Sequence, residues 1–457
     1  MNSGADGIDN QLPPEARPGN GWAQARYVWL AVLVGTFAGI LGSIFHLTID
    51  ALLHWPVLLA EVVGGPMLVV AAALVTMLAT VASVYMVRRI APEAGGSGVQ
   101  EIEGAMEGLR PVRWARVLPV KFFAGAAAIG SGLVLGREGP TIHIGASIAA
   151  MFARIGGTVD LERRGLLAAG AAAGLACAFN APVAAVLFII EETHRQFPYT
   201  FRTYMGVIVA ALLATAMTEM IGGTAPDLAL ISPEVPIGFL PLFAVLGCLL
   251  GAVGVLLNKS ILTAVAFAAA AQQRAPYAYP AAVGLVVGGL FILMPHAVTG
   301  GETMIIELVR NQPGVMALLM LAILRFCTMV GSYSSGVPGG IFAPILALAV
   351  CIGLAFGTVA DMMFPGMGAI PVAFAIAAMG GLFTASVRAP IVGVALTLEL
   401  TGSYSLAMPL MATCVCANLS AQWMGGRPIY EQLLDRTLAL AGVQPATRPK
   451  AHDTGLA

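Results

Sequence analysis

The stretch Gly136-Arg137-Glu138-Gly139-Pro140 places one ionisable side chain between two glycines, ahead of an apolar run. Pro140 suits the first turn of a helix, where its missing N–H costs nothing. Glu138 is therefore expected just before a helix N-terminus, beside free backbone N–H groups and the positive end of the helix dipole. A carboxylate there occupies an anion site, and if it swings away another anion can take its place. A capping carboxylate without a transport role is the plainer reading. The apolar flanks put the residue at membrane depth, where an ionisable group is a functional candidate by default.

Gly340-Ile341-Phe342-Ala343-Pro344 repeats the Gly-x-x-x-Pro skeleton without an ionisable side chain. Its backbone N–H groups would be free to bind an anion; the alternative is a simple Gly/Pro kink. Gly95-Gly96-Ser97-Gly98-Val99-Gln100 opens another helix, either with Ser97 and Gln100 as an S-x-x-Q capping box or with the Ser97 hydroxyl as an anion ligand. Gly95-x-Ser97-Gly98 also matches the Gly-x-Ser-Gly of intramembrane serine proteases. That reading needs a His base on a neighbouring helix, for which His46, His54 and His143 are the candidates. Glu191 and Glu192 close an apolar run and precede His194, Arg195 and Arg202. Adjacent residues on a helix face different directions, so one can bond locally while the other meets an internal water path. Arg388 and Glu399 read as structural charges, and Tyr430 as an interfacial aromatic. The six cysteines lie in apolar stretches with no zinc spacing, so no metal or cofactor is expected.

Apolar elements must position these groups. Of 457 residues, 58% are apolar and only 10% charged, and mean hydropathy is +0.87. Soluble domains carry about 25% charged residues, so soluble-enzyme and disordered classes fit poorly. A net charge of -1 offers no basic patch for nucleic acid. Runs near 27–49, 68–87, 165–190, 203–222, 236–257, 281–294, 315–331, 343–364 and 407–424 approach the ~20 residues that span a bilayer. Shorter runs at 122–135, 141–153, 372–386 and 390–398 are broken by Gly, Pro or charge, which predicts discontinuous helices lining a cavity. No signal peptide is read at the start. Lys and Arg cluster at 88–116 and toward both termini, with Arg17 and Arg26 before the first run and Arg427, Arg436, Arg448 and Lys450 after the last. The connections 50–67, 223–236 and 360–371 have none, so both termini are expected in the cytoplasm.

The chain also repeats. "PEAGGSG" at 92–98 pairs with "PHAVTGG" at 295–301, "GREGP" at 136–140 with "GIFAP" at 340–344, and "APVAAVLFIIEET" at 181–193 with "APIVGVALTLELT" at 389–401, at offsets of 203, 204 and 208. The last pair sets Glu191 on Glu399. The organisation expected is a cytoplasmic polar tail at 1–26, membrane repeats at 27–222 and 236–430, an extracytoplasmic linker at 223–235 and a short cytoplasmic tail at 431–457. Duplicated halves with broken helices are common in transporters, whose site lies where the halves meet.

"GGSGVQEIEG" (95–104), "GREGPTIHIG" (136–145), "AFNAPVAAVLFIIEE" (178–192), "SSGVPGGIFAP" (334–344) and "GGRPIY" (425–430) together resemble the CLC family of chloride channels and proton/chloride antiporters, most closely the bacterial antiporters without CBS domains. The resemblance implies an all-α integral membrane protein, an inverted repeat of many tilted, partly discontinuous helices, and a homodimer in the inner membrane. It implies exchange of chloride for protons, at two chloride per proton, with a passive anion channel as the alternative. Ser97 and Tyr430 become the hydroxyls holding the anion, with Gly98 beside them and the backbone N–H groups of Ile341 and Phe342 as donors. Glu138 becomes the external gating carboxylate and Glu192 the internal proton-transfer carboxylate. Gly136, Arg137, Gly139, Pro140, Gly340, Ala343 and Pro344 complete the supporting motifs. Glu192 favours exchange over channel activity. Ser97 resembles the chloride-preferring members, where nitrate-preferring relatives have Pro. Tyr430 and the GREGP form speak against the fluoride-exporting branch. Gln100 stands where the family usually has Pro, adding a donor and a flexible amide.

Overall fold

In lipid every backbone polar group must be satisfied within the protein, so apolar chain of this length folds as helix. The computed structural model describes residues 21–223, 228, 230, 235–364 and 370–443. Residues 1–20, most of the linker at 223–235 and the last part of the tail at 431–457 lie outside the described residues, together with Arg17, Arg448 and Lys450. The first half carries α1 (Gly21–Leu52), α2 (Trp55–Val62), α3 (Pro66–Ile90), α4 (Val99–Met106), α5 (Trp114–Gly130), α6 (Glu138–Ile155), α7 (Asp160–Phe179), α8 (Pro182–Glu192) and α9 (Phe201–Gly222). The second carries α10 (Leu240–Arg274), α11 (Ala278–Leu293), α12 (Glu302–Asn311), α13 (Val315–Ser334), α14 (Phe342–Met363), α15 (Ile370–Val387), α16 (Pro390–Thr401), α17 (Ala407–Trp423) and α18 (Ile429–Leu440). Among the described residues, seven spans are long and apolar enough to cross a membrane.

The run at 165–190, expected as one span, is two helices. Asn180 takes a left-handed conformation (φ 50°) that ends α7, and Pro182 starts α8 in its first turn. The same Pro-led start recurs at α16, behind Arg388 at φ 72°.

Equivalent helices pack alike in the two halves: α6 on α7 as α14 on α15, α1 on α9 as α10 on α17. A Cβ at Gly145 or Gly170 would overlap the other residue's carbonyl oxygen, so α6 and α7 meet backbone to backbone. Gly353 similarly holds α14 against α15, where a Cβ would lie 2.6 Å from the Phe374 carbonyl oxygen.

The inversion is visible where equivalent helices meet. The Glu399 carboxylate, near the end of α16, accepts the N–H groups of Val183 and Ala184 at 3.1 and 2.6 Å, at the start of α8. Glu191, near the end of α8, accepts those of Ile391 and Val392 at 3.2 and 2.8 Å, at the start of α16. Each repeat thus caps the other's helix, which requires α8 and α16 to run in opposite directions.

Candidate anion and proton site

Three loops that interrupt the helices are bonded to one another at the centre. Gly136 N–H donates to the Gly340 carbonyl at 2.9 Å and Gly340 N–H returns a bond to Gly136 at 2.7 Å. Gly96 N–H donates to Val337 at 3.0 Å and Gly339 N–H to Gly96 at 3.1 Å. The two equivalent Gly-x-x-x-Pro motifs therefore face one another across the repeat axis. Space is tight: a Cβ on Gly139 would stand 2.6 Å from Ser97 Oγ. Here α6 and α14 begin, and α4 and α18 begin beside them. The first-turn N–H groups of Phe342 and Ala343 have no acceptor within their own helix, and Pro344 ends that set.

Glu138 is the first residue of α6, with Arg137 as its N-cap. Its side chain is 0% exposed, and neither carboxylate oxygen has a hydrogen-bond partner. The carboxylate lies beside Gly136 and Gly340 and faces the N–H of Ala343. It therefore fills the mouth of α14 in the manner of a bound anion. Arg137 reaches outward to Asp50 at 3.5 Å and Glu302 at 3.2 Å. Pro140 is buried in the first turn of α6.

The Ser97 and Tyr430 hydroxyls are both fully buried and without a hydrogen-bond partner, yet close enough to interact. Tyr430 also interacts with Glu138 and Glu192. Its ring lies 5.9 Å from that of Phe342, which packs edge-on to Phe383 at 4.9 Å and Phe188 at 5.4 Å. Aromatic walls thus surround two unsatisfied hydroxyls and free helix N–H groups, an arrangement suited to a dehydrated anion.

The expected S-x-x-Q capping box is not formed. α4 starts at Val99 with Gly98 as N-cap (φ 97°), so Ser97 lies one residue too early. Neither bond of the reciprocal pair is formed; Gln100 Oε1 instead accepts the Gly98 N–H at 3.2 Å. The nucleophile–base pair of a protease is not formed either. His54 Nδ1 is engaged with the Asp50 carbonyl at 2.8 Å, and His143 packs on Gly98 while Ser97 Oγ has no partner.

Glu192 ends α8, half-buried, within hydrogen-bonding reach of Glu103, which is 5% exposed. Both line a cavity of about 100 Å³ with Glu191, Arg195, Arg388 and Glu431, large enough for several waters. Glu191, on the wall of the same cavity, has its carboxylate engaged by the start of α16, as described. Arg388 Nη1 donates to the Asn418 carbonyl at 2.7 Å, in keeping with a structural charge.

Several participants carry no motif. Lys121, fully buried on α5, donates to the carbonyls of Ala94 and Gly96 at 2.9 and 2.7 Å and so holds the Ser97 loop. Arg325, its counterpart on α13, donates to His296, Val298, Thr299 and Gly300 at 2.7–3.1 Å. A second cavity, about 500 Å³, opens onto Gly96, Gln100 and Tyr333 and is lined by Arg110, Arg113, Arg116 and Arg436. Its arginines are readable as a basic loop, but their convergence below the anion loop is not.

Comparison with known proteins identifies relatives of the chain as a whole. The family described as "Voltage gated chloride channel" matches residues 76–422. The H(+)/Cl(-) exchange transporter ClcA of Vibrio parahaemolyticus is 42% identical over 419 residues, 90% of this chain and 89% of the relative. That of Vibrio cholerae is 42% identical over 432 residues, 92% of each. A crystal structure described as a slow cyanobacterial Cl-/H+ antiporter superposes with a TM-score of 0.87 at 34% identity, covering 91% of this chain and 98% of the other.

Proposed function

The chain belongs to the voltage-gated chloride channel family, the CLC family, and from that premise we propose that it is a secondary active transporter exchanging chloride for protons. The observation that carries this reading is the buried, unpartnered Glu138 carboxylate at the start of α14, above two unpartnered hydroxyls. A neutral Glu138 can leave the helix mouth and admit an anion; an ionised one competes with it for the same N–H groups. Proton and anion thereby exclude and replace one another at one place. In this reading Ser97, Gly98, Ile341, Phe342 and Tyr430 hold the chloride. Glu192, with Glu103 and the small wet cavity beside them, relays the proton on the other side. A charge crossing apolar protein without such a station is prohibitively costly.

The Lys/Arg-rich loops support a reading in which the arginine-lined cavity and both termini face the cytoplasm, with the inner membrane as the location. The resemblance supplies two chloride per proton, a homodimer and a lipid surround. The protein acts as a transporter rather than an enzyme, with no resident cofactor or metal; chloride and protons are its cargo.

Chloride and proton flux recorded together in liposomes test the proposal. A chloride gradient should drive protons uphill. Glu138→Ala, which can neither carry a proton nor block the site, should keep chloride flux and lose proton flux. Chloride flux without proton movement in the unaltered protein would identify a passive channel instead. Undiminished pumping by the variant would remove Glu138 from the mechanism.

A further inference from the structure

The Ser97 loop meets the arginine-lined cavity through two side chains, Gln100 and Tyr333, and the first already holds one of its donors. Gln100 is 7% exposed, in the first turn of α4, and its Oε1 accepts the Gly98 N–H at 3.2 Å. Its Nε2 flanks Gly96 from one side and the Tyr333 hydroxyl from the other; a Cβ there would stand 3.5 Å from each. The Tyr333 oxygen also faces the Ser97 N–H. Both side chains line the cavity of about 500 Å³ that contains Arg110, Arg113, Arg116 and Arg436. An anion drawn into that cavity thus finds the Gly98 N–H occupied by a neutral oxygen of the protein itself, with the Tyr333 hydroxyl beside the Ser97 N–H.

We propose that Gln100, with Tyr333, is a displaceable inner latch: its carboxamide oxygen stands in for the anion at the Gly98 N–H and must leave before a small monovalent anion binds there. The inference rests on the transport reading above and deepens it. A protein acceptor that competes with the ligand reduces the fraction of competent sites, and apparent affinity falls by that fraction. The net worth of a neutral hydrogen bond corresponds to about two- to tenfold. Proline at this position could not compete, because it has no side-chain acceptor. The sign of the effect follows from this. An ordinary ligand weakens binding when removed, whereas a latch strengthens it.

Chloride titration of the full-length protein in detergent by calorimetry reads that sign. Gln100→Ala and Gln100→Pro should each bind chloride about two- to tenfold more tightly. Gln100→Glu keeps the reach but offers a charged acceptor, which the N–H holds more strongly; chloride binding should fall more than tenfold near neutral pH and recover on acidification. Tyr333→Phe, freeing the Ser97 N–H, should shift affinity in the same direction as Gln100→Ala. Affinity unchanged or weakened in both Gln100→Ala and Gln100→Pro overturns the latch, and the Ala and Tyr333 variants decide the matter if the Glu variant does not fold. Coupled flux of the unaltered protein is recorded alongside. Intact exchange with no tightening overturns the latch alone, whereas absence of both chloride binding and flux overturns the transport reading with it.

Discussion

Burying a hydroxyl without a partner costs about 1–3 kcal/mol, and Ser97 and Tyr430 bury two within reach of one another. That cost is offset when a bound anion accepts from both. Ser97→Ala and Tyr430→Phe should therefore each weaken chloride binding by roughly ten- to a hundredfold, the equivalent of a charged hydrogen bond of ~1.5–3 kcal/mol. Calorimetry on the purified variants reads this; unchanged affinity in both would leave the backbone N–H groups as the whole site. Glu192 makes the second prediction at this scale. It meets Glu103 and the small cavity on one side and Tyr430 of the anion site on the other, so Glu192→Gln should stop proton movement while chloride still crosses, measured in paired liposome fluxes. Loss of both fluxes, or of neither, would assign the inner station elsewhere. Ser97 and Glu138 stand out in the sequence as candidates because each sits in a motif with glycine or proline at fixed spacing, whereas Tyr430 reads as an interfacial aromatic and Glu192 as one of an adjacent pair until the family resemblance singles them out. Lys121 and Arg325 do not stand out, because their partners are carbonyls of the Ala94–Gly96 and His296–Gly300 loops. A carbonyl has no sequence signature, and a lone cation in an apolar run reads as an interfacial anchor.

Glu191 belongs to the helix it caps rather than to the ion path. Its carboxylate accepts two N–H groups at the start of α16, and Glu399 repeats the bond at α8. A carboxylate at a helix N-terminus contributes about 0.3–1 kcal/mol, and up to ~2 in partly buried geometry. Glu191→Gln should accordingly lower stability by about 1–2 kcal/mol, seen as a lower Tm in detergent, with the proton-to-chloride ratio unchanged. A lost ratio with an unchanged Tm would make Glu191 the proton residue. The offset that sets Glu191 on Glu399 is readable from the repeats. The antiparallel contact is not, because repeat spacing carries no direction. The break inside 165–190 was available in the residues, since Asn180-Ala181-Pro182 combines a left-handed stop with a proline start. Continuous apolarity across it conceals the interruption, because α7 is buried nearly all round and the less buried face of α8 is apolar as well, so the polar alternation that marks a boundary is missing.

Across the whole molecule the two halves are nearly symmetric in fold and unlike in charge. The inverted repeat would give equal mouths, yet the arginines converge on one. Arg110 is held by Glu101 at 2.8 Å and Arg116 by Glu93 at 2.7 Å, and with Arg113 and Arg436 they line a single cavity of about 500 Å³ below Gly96. A concave basic surface with low-dielectric walls concentrates anions and raises their rate of arrival. The effect depends on ionic strength, because the screening length shrinks from about 30 Å at 0.01 M salt to about 10 Å at 0.1 M. Neutralising Arg113 and Arg436 together, by Arg113→Gln and Arg436→Gln, leaves the two ion-paired arginines in place. The double variant should take up chloride from the cavity side several-fold more slowly at ~0.01 M than the unaltered protein, with the deficit shrinking toward ~0.1 M when an impermeant salt is added. Entry from the Glu138 side should change little, since Arg137 and its partners there are untouched. Sided flux in vesicles of uniform orientation separates these arms. A deficit equal from both sides, or unaffected by salt, would mean that the arginines hold the structure of the mouth and do not draw chloride into it.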